Sequence, residues 1–403
     1  MTEALVNESS DDNLANIVEE ISQQLVAGNS DAIEAILSEH PTEADRLRAL
    51  LPTLRVLVEI GSSPVGQNRS NATVAETYTQ EPLYQQILGD FRILREIGRG
   101  GMGVVFEAEQ VSLRRRVALK VLPTASMLDP RSLQRFRNEA QAAASLHHSN
   151  IVPIHGVGCE RGVHYYAMQY IDGLTIAEVI AKLRESSKLT RDPPAQPQPH
   201  TADASSQAVP EVQLESKEKQ AVETDVMAAL STEKSSSSGA WFRRLAEQMA
   251  QVADALHHAH ELGVTHRDIK PANLTLDRLA RIWVTDFGLS RVEGADNLTM
   301  TGDLVGTLRY MSPEQALAKR LGVDHRSDIY SVGITLYELL TLKPAFAGVG
   351  RQELLQQLAN EEPKSLRRQN PAIPRDLETI VIKATQKNPT ERYQTAAELA
   401  AEV

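Results

Sequence analysis

With 403 residues, the chain has room for more than one folded unit, since domains usually hold about 100 to 200 residues. Hydrophobic residues make up 41% and charged residues 24% of the chain, which is typical of folded, water-soluble proteins. The net charge of -11 argues against nucleic acid or an anionic lipid surface as a partner, because both are themselves negatively charged.

The single cysteine, Cys159, excludes an internal disulfide framework and leaves too few thiolates for a structural zinc site. No apolar run reaches the roughly 18 residues that a transmembrane helix requires. The acidic start MTEALVNESSDDN also lacks the basic and apolar segments of a secretory signal. We therefore expect a cytoplasmic chain without a membrane span.

Residues 1–61 are predicted to form a helical extension, because apolar side chains recur at the spacing of one helix face. The first helix is predicted to end at Gly28, and a second follows around Ile33, Ile36 and Leu37. A third begins after Pro41 and is kinked or split at Pro52. The apolar positions are Leu14, Ile17, Val18, Ile21, Leu25, Val26, Ile33, Ile36, Leu37, Leu47, Leu50, Leu51 and Leu54. With three arginines and no lysine, the extension is interpreted as a docking or regulatory element rather than a DNA reader.

Residues 62 to about 80 are polar and without periodicity, and a flexible linker is predicted over 62–88. Residues 89–403 begin with the segments FRILREIG, GVVFEAEQ and RVALKVL, which predict an antiparallel meander of strands. A predicted helix at 131–146, the strand-like segments IVPIHGVG and VHYYAMQY, and a largely helical region follow. Residues 185–239 hold five prolines, a serine run and almost no apolar periodicity, so a disordered insertion is predicted there.

A glycine-rich segment lies between the first two predicted strands. It consists of Gly98, Arg99, Gly100, Gly101, Met102 and Gly103. Such a string alone indicates only a tight turn, and a dinucleotide site would require a helix after the glycines. A strand follows instead, which favours a β-hairpin whose backbone N–H groups lie over phosphates.

Lys120 lies within the otherwise apolar strand VALKV. A lysine in a strand can simply protect a sheet edge from aggregation. Alternatively, it binds the α- and β-phosphates of a nucleotide, and it then needs an acidic partner when no nucleotide is bound. Glu139 on the following predicted helix is placed for that role, although taken alone it would be interpreted as a solvated helix residue.

The segment HRDIKPAN, residues 266–273, is followed thirteen positions later by Asp286 of an Asp-Phe-Gly sequence. Phosphoryl transfer needs a carboxylate that orients the attacking hydroxyl, oxygen ligands for Mg²⁺, and cations near the triphosphate. Asp268 is the candidate base, and Lys270 is a cation near the transferred group. Asn273 and Asp286 supply the hard oxygen atoms that Mg²⁺ prefers.

With these motifs in this order, the chain from about Phe91 onward resembles a Hanks-type, eukaryotic-like bacterial serine/threonine protein kinase. Glu314 of the Ser-Pro-Glu segment stands where that family has Ala-Pro-Glu, and Arg392 stands where the family places its partner. Asp328 matches the aspartate of the large helix in the C-lobe. The string GTLRYMSPEQALAKR and the leucine-rich N-terminal helices further resemble kinases of planctomycete-type bacteria.

The resemblance implies an α+β fold, the two-lobed protein kinase fold, preceded by the helical extension. The N-lobe, about 89–168, would be an antiparallel sheet with one helix. The C-lobe, about 169–403, would be mainly helical and would contain the 185–239 insertion.

The resemblance also implies ATP and Mg²⁺ as cofactors. Residues expected beside the adenine are Met168, Gln169, Tyr170, Ile171, Val105 and Ala118. The family usually has Glu at position 169, but that contact is made through the backbone carbonyl. Thr275 departs further, because the residue beneath the adenine is normally apolar; ATP affinity is expected to be weaker by about 1 kcal/mol.

Substrate class follows from Lys270 and from Gly306-Thr307, which are what serine/threonine kinases of this family carry. We therefore expect transfer to serine and threonine hydroxyls of proteins. Thr307 is expected to stay unmodified and to position the substrate hydroxyl near Asp268.

Thr299 and Thr301 are expected sites of activating self-phosphorylation, because their spacing resembles the self-phosphorylated loops of bacterial relatives. A phosphothreonine would provide an anion for Arg267, beside the candidate base. A transient homodimer is one route to such phosphorylation in trans.

The main alternative is a catalytically weak, pseudokinase-like binding or scaffold module. Such modules usually lack the lysine, the base or a metal ligand, and this chain carries all of them. Small-molecule kinases share the fold but lack a Ser-Pro-Glu segment with a downstream Arg392, so a protein kinase is the preferred interpretation.

Overall fold

The computed structural model describes residues 87–100, 103–122, 130–189, 238–287, 306–317, 323–348 and 350–403, with parts of 17–54 and 221–226. The chain divides into two compact units. The first comprises Met1–Ala140 and Ile154–Tyr170, and the second comprises Gln141–Pro153 and Ile171–Val403.

An antiparallel sheet dominates the first unit, with the strand order β1-β2-β3-β4-β6-β5. The strands are β1 (Ile87–Leu88), β2 (Phe91–Gly100), β3 (Gly103–Gln110), β4 (Arg115–Val121), β5 (Ile154–Glu160) and β6 (Val163–Gln169). Alternate residues face opposite sides, so side chains such as Phe106, Val117 and Leu119 form a buried apolar core on one face. The predicted meander is confirmed for β2 to β4.

Before β5, complete bounds are described for α1 (Ser30–Glu39) and α2 (Pro130–Ala144), and further helical residues lie between 17 and 25 and between 44 and 54. α2 corresponds to the predicted helix 131–146. Around α1, apolar side chains of the extension form a buried cluster of Ile17, Val18, Ile21, Ile33, Ile36, Leu37, Leu47 and Leu54. These are positions of the predicted apolar stripes, while Leu14, Val26, Gly28, Leu50 and Pro52 lie outside the described residues.

The second unit is mainly helical and carries a small sheet of β7 (Gly173–Thr175), β8 (Leu274–Asp277) and β9 (Ile282–Val284). Its described helices are α3 (Ile176–Leu189), α4 (Ser238–Glu261), α5 (Pro313–Ala316), α6 (Arg326–Thr341), α7 (Arg351–Asn360), α8 (Leu366–Gln369), α9 (Arg375–Ala384) and α10 (Ala396–Glu402). α6 is buried from Ser327 to Thr341. Such all-round burial marks a central core helix. A sheet-based unit and a mainly helical unit confirm the predicted α+β class.

The prediction of disorder for 185–239 is wrong at its two ends and at one internal segment. α3 continues to Leu189, and α4 begins at Ser238. Residues 221, 222 and 224–226 are helical, with Val222 and Val226 buried. These two valines are one helical turn apart and lie on a single apolar face. The surrounding residues are mostly polar, so this short apolar pattern is hard to recognise in the sequence. The remainder of the predicted insertion, and the predicted linker up to residue 86, lie outside the described residues.

Within the described ranges, no helix is both long enough and apolar enough to cross a membrane.

Candidate active site

The described residues of the glycine-rich segment lie at the end of β2 and the start of β3, where Gly98 pairs with Val105 and Gly100 pairs with Gly103. Because β3 follows the glycines directly, the helix required by a dinucleotide fingerprint is replaced by a strand. Arg99, on the first arm, forms an ion pair with Glu96 at 2.6 Å on the protein surface. The arrangement fits a hairpin that covers phosphate groups.

Gly103 occupies a position that only glycine tolerates. Its φ is +147°, and a Cβ atom there would lie 2.5 Å from the carbonyl oxygen of Val121. The backbone at the start of β3 therefore approaches β4 more closely than any other residue would allow.

Lys120 lies on β4 with only 4% of its surface exposed. It pairs with Val105 on β3 and with Tyr166 on β6, and its Nζ is 5.7 Å from the centre of the Tyr166 ring. Paired residues of adjacent strands project to the same side, so Val105, Ala118 and Lys120 share one face of the sheet. That face carries a cation beside small apolar side chains.

Two further residues predicted to lie near adenine come at the end of β6 and shortly after it in the chain. Gln169 ends β6 opposite Val117. Ile171 begins the next segment of the second unit and is partly buried.

Asp268, Lys270, Asn273 and Thr307 form one connected group in the second unit. Lys270 Nζ lies 2.9 Å from Asp268 Oδ2 and donates to Thr307 Oγ1 at 3.0 Å. Asn273 Nδ2 donates to the backbone carbonyl of Asp268 at 2.8 Å and to its Oδ2 at 3.0 Å. The Asp268 carboxylate is therefore held from two sides and still partly exposed to solvent.

The loop that carries Asp268 is anchored on the fully buried carboxylate of Asp328. Asp328 accepts the backbone N–H groups of His266 at 2.8 Å and Arg267 at 2.6 Å. His260 Nε2 on α4 lies 2.8 Å from the same carboxylate. Arg267 has a φ of +67°, a conformation that its neighbours must hold in place, and these contacts do so.

Asn273 and Asp286 lie on adjacent chain segments. The backbone N–H of Thr285 donates to the carbonyl oxygen of Asn273 at 3.0 Å, and Asp286 follows with a φ of +59°. Because the Asn273 amide nitrogen donates to Asp268, the amide oxygen is the atom of this side chain that is suited to ligate a metal. No cluster of three or more His, Cys, Asp or Glu suited to a metal occurs among the described residues. One amide oxygen and one carboxylate fit Mg²⁺, which takes its other ligands from phosphates and water.

The Asp-Phe-Gly and His-Arg-Asp segments pack against each other. Phe287 is buried, and its ring centre is 4.6 Å from that of His266. His266 Nε2 lies 2.8 Å from the carbonyl oxygen of Thr285. The candidate base and the candidate metal ligand are thus held on one packed unit.

Glu314 and Arg392 form a buried ion pair, as the resemblance implied. Burial opposes ionisation of Glu314, but the hydrogen bonds and charge of Arg392 lower the pKa of that carboxyl below its usual value. In the same segment, Ser312 caps α5, and Gln315 Nε2 donates to the carbonyl oxygen of Arg267 at 3.0 Å. The segment that ends in Glu314 is thereby tied to the loop that carries Asp268.

Thr275 lies on β8 between the fully buried Leu274 and Leu276. Because side chains alternate along a strand, Thr275 projects to the side opposite those leucines and is partly exposed. The polar substitution noted in the sequence thus faces away from the apolar core.

Several candidate residues have their side chains outside the described part of the chain; these are Gly101, Met102, Glu139, Thr299 and Thr301.

The sequence analysis missed three residues that hold segments of the candidate site in place, namely His260, Gln315 and Glu338. Glu338 accepts from Tyr310 Oη at 2.6 Å and from Arg184 Nη2 at 2.7 Å, and so holds the segment after Thr307. No local pattern marks these residues, since each partner is distant in sequence.

Comparison with known proteins agrees with this geometry. A family model described as protein tyrosine and serine/threonine kinase matches residues 91–401. Among similar relatives, serine/threonine-protein kinase PrkC of Bacillus subtilis is 34% identical over 320 residues, covering 79% of this chain and 41% of that protein. Serine/threonine-protein kinase PknB of Mycobacterium tuberculosis is 32% identical over 313 residues, covering 76% of this chain and 41% of that protein.

Among solved structures, the PknI kinase domain of Mycobacterium tuberculosis matches with a TM-score of 0.50 at 24% identity. The match covers 79% of this chain and 97% of that domain, and it supports the fold. The chain spans about two fifths of the length of PrkC and PknB. Since the family model covers most of the chain, the protein belongs to the protein tyrosine and serine/threonine kinase family.

Proposed function

We propose that this protein is a serine/threonine protein kinase that transfers the γ-phosphoryl group of ATP to serine and threonine hydroxyls of proteins. The observation that carries the proposal is the position of Lys270 Nζ between the Asp268 carboxylate and the Thr307 hydroxyl. A carboxylate and an ammonium group 2.9 Å apart suit a reaction in which a hydroxyl attacks a charged phosphoryl group.

In this mechanism Asp268 accepts a hydrogen bond from the substrate hydroxyl and orients its oxygen toward the γ-phosphorus. The hydrogen bonds from Asn273 hold the carboxylate, so little reorganisation is needed when the substrate binds. Lys270 offsets the negative charge that develops on the transferred group. Thr307 holds the Lys270 ammonium group and borders the place of the substrate hydroxyl.

Asn273 and Asp286 would hold Mg²⁺, which on binding neutralises charge on the β- and γ-phosphates. Lys120 would contact the α- and β-phosphates, and the backbone of the glycine hairpin would cover them. Gln169 and Ile171 would meet adenine through their backbone groups. Thr275 leaves a polar group near adenine, and the expected effect is a weaker affinity for ATP rather than a loss of transfer.

Self-activation is part of this proposal. Phosphate on Thr299 or Thr301 would bring close to two negative charges to the neighbourhood of Arg267. One charge-assisted hydrogen bond is worth roughly 1.5 to 3 kcal/mol. It would shift the equilibrium between two conformations of the loop that carries these threonines by about tenfold or more. A transient homodimer in the cytoplasm would allow one copy to modify another.

The test is incubation of the purified chain with Mg-ATP and a general protein substrate, followed by mapping of the phosphorylated residues. Phosphate on serine and threonine of the added protein supports the proposal. ATP binding without transfer, unchanged in Lys270→Ala, would instead support the pseudokinase-like binding module.

A further inference from the structure

A charged cluster around the buried Glu107 in the first unit has no part in the chemistry proposed above. Glu107 on β3 pairs with Arg95 on β2, whose Nη2 lies 2.7 Å from Oε2 as an ion contact. Arg116 on β4 donates Nε and Nη2 to the other carboxylate oxygen of Glu107. Only 2% of the Glu107 side chain is exposed, and burial of a carboxylate is costly unless cations and hydrogen bonds compensate for the lost water.

Both arginines also contact Tyr170. Arg95 Nη2 donates to the Tyr170 hydroxyl at 3.2 Å, and the Arg116 guanidinium lies 4.7 Å from the centre of the Tyr170 ring. The ring is therefore held at its hydroxyl end by a hydrogen bond and on its face by a cation–π contact.

The strand register places this cluster on a defined face of the sheet. Glu107 pairs with Ala118, and Val105 pairs with Lys120. Because paired and alternate residues project to one side, Glu107 shares the face of Val105, Ala118 and Lys120, opposite the apolar core. Tyr170 directly follows Gln169, so the cluster adjoins, within the first unit, a residue that the proposed function assigns to adenine.

We propose that Glu107 is a positioning residue for the adenine nucleotide, acting through Arg95 and Arg116 on the ring of Tyr170. This inference rests on the proposed function. Without the carboxylate, the two guanidinium groups lose the anion between them and repel each other. The two contacts with Tyr170 described above are then weakened, and part of the order of its side chain must be restored each time a nucleotide binds.

The main variant is Glu107→Gln, which keeps the shape of the side chain and removes its charge. The KM for ATP and the Kd for ATP should rise about threefold to tenfold, while kcat at saturating ATP stays within about twofold. The matched control is Glu109→Gln, which breaks the Arg92–Glu109 ion pair of 3.0 Å on the same two strands. That control should leave both constants at their parental values.

A double-mutant cycle tests whether Glu107 acts through Arg116. Arg116→Gln alone should raise the KM for ATP, because the ring loses its cation. The KM for ATP of the double variant Glu107→Gln, Arg116→Gln should be no higher than that of Glu107→Gln, because the Arg116 charge that faced the carboxylate is removed with it. If the two substitutions raise the KM for ATP equally, and the double variant shows the sum of their effects in free energy, this coupling is contradicted.

Thermal unfolding of each variant separates positioning from simple stability. If Glu107→Gln does not fold, Arg116→Gln is used in its place, because the Arg116 side chain is about half exposed. The KM and Kd for ATP of that variant are then compared with those of the parent. Lower stability with parental KM and Kd for ATP in both variants would overturn the inference and leave Glu107 a structural residue. A parent chain that binds ATP but transfers no phosphate would contradict the proposed function alone, since the Kd comparison still holds.

Discussion

Glu314 and Arg392 are 78 positions apart in sequence and form a two-pronged ion pair in the protein interior, with Nη1–Oε1 at 2.7 Å and Nη2–Oε2 at 2.8 Å. Ser327 Oγ donates to Glu314 Oε1 at 3.0 Å, and further Arg392 N–H groups donate to the carbonyl oxygens of Gln386, Lys387 and Arg326. The pair therefore joins the α5 segment to the region before α10.

Removing one partner of this pair should be strongly destabilising. Glu314→Gln leaves the buried Arg392 charge without its anion and should lower the free energy of unfolding by about 3 to 5 kcal/mol. Urea unfolding measures this change. The control Glu261→Gln removes a solvent-exposed carboxylate on α4 and should change stability by less than about 1 kcal/mol. Equal effects of the two substitutions would contradict a special role for the buried pair.

The same pair predicts a response to acid. Because the pKa of Glu314 is lowered in the folded state, its stabilising contribution is complete above its ordinary value of 4.5 and is lost as pH falls through the folded pKa. Below pH 4.5, the stability difference between the parent and Glu314→Gln should therefore shrink. Unfolding curves of both proteins across this range test the prediction, and a constant difference would oppose it.

An alkaline response is expected from Lys387. Burial lowers the pKa of this lysine to about 8, and its Nζ donates to the carbonyl oxygen of Leu358 at 2.9 Å. Between about pH 8 and 10.5 the unfolded chain binds more protons at this position, so the parent gains stability as pH rises. Lys387→Met should lack this gain. Parallel slopes for parent and variant would show that Lys387 does not titrate in this window.

The two ends of the glycine hairpin should respond differently to alanine. At Gly103 a Cβ would meet the Val121 carbonyl oxygen at 2.5 Å, so Gly103→Ala must displace β3 and should weaken ATP binding. At Gly98 the nearest atom is Val105 Cβ at 4.0 Å, so Gly98→Ala should be tolerated by the fold. Thermal unfolding and ATP titration compare the two variants. A larger loss in Gly98→Ala would reverse the prediction.

Thr307 supplies a hydroxyl to Lys270, and this hydroxyl rather than the methyl group should matter for catalysis. Thr307→Ala removes a charge-assisted hydrogen bond and should lower kcat/KM for a protein substrate by about 10-fold to 100-fold. Thr307→Ser keeps the hydroxyl and should retain most of the activity. Steady-state assays at saturating ATP measure both, and equal losses in the two variants would contradict the role of the hydroxyl.

The motifs could be predicted from sequence because their members are close together. Asp268, Lys270 and Asn273 lie within six consecutive positions, so their side chains must be close together in space. The β2–β3 hairpin was predicted for a similar reason, because glycines between two strand-like apolar runs are a short-range signal for a hairpin.

Contacts between distant segments were predicted only where the family resemblance supplied them. The Glu314–Arg392 pair is such a case, whereas the contacts among Glu107, Arg116 and Tyr170 depend on a strand register that periodicity does not specify. The helical residues at 221–226 were missed because two valines give too short a pattern.

The most direct test compares Asp268→Asn with the parent chain in Mg-ATP-dependent phosphorylation of a protein substrate. The parent should phosphorylate serine or threonine, while Asp268→Asn should bind ATP with a similar Kd and lose about 1000-fold or more in kcat. The substitution keeps the size of the side chain and the fold, so the loss would be one of chemistry. An Asp268→Asn chain with the parental rate would contradict the assignment of this site as the centre of phosphoryl transfer.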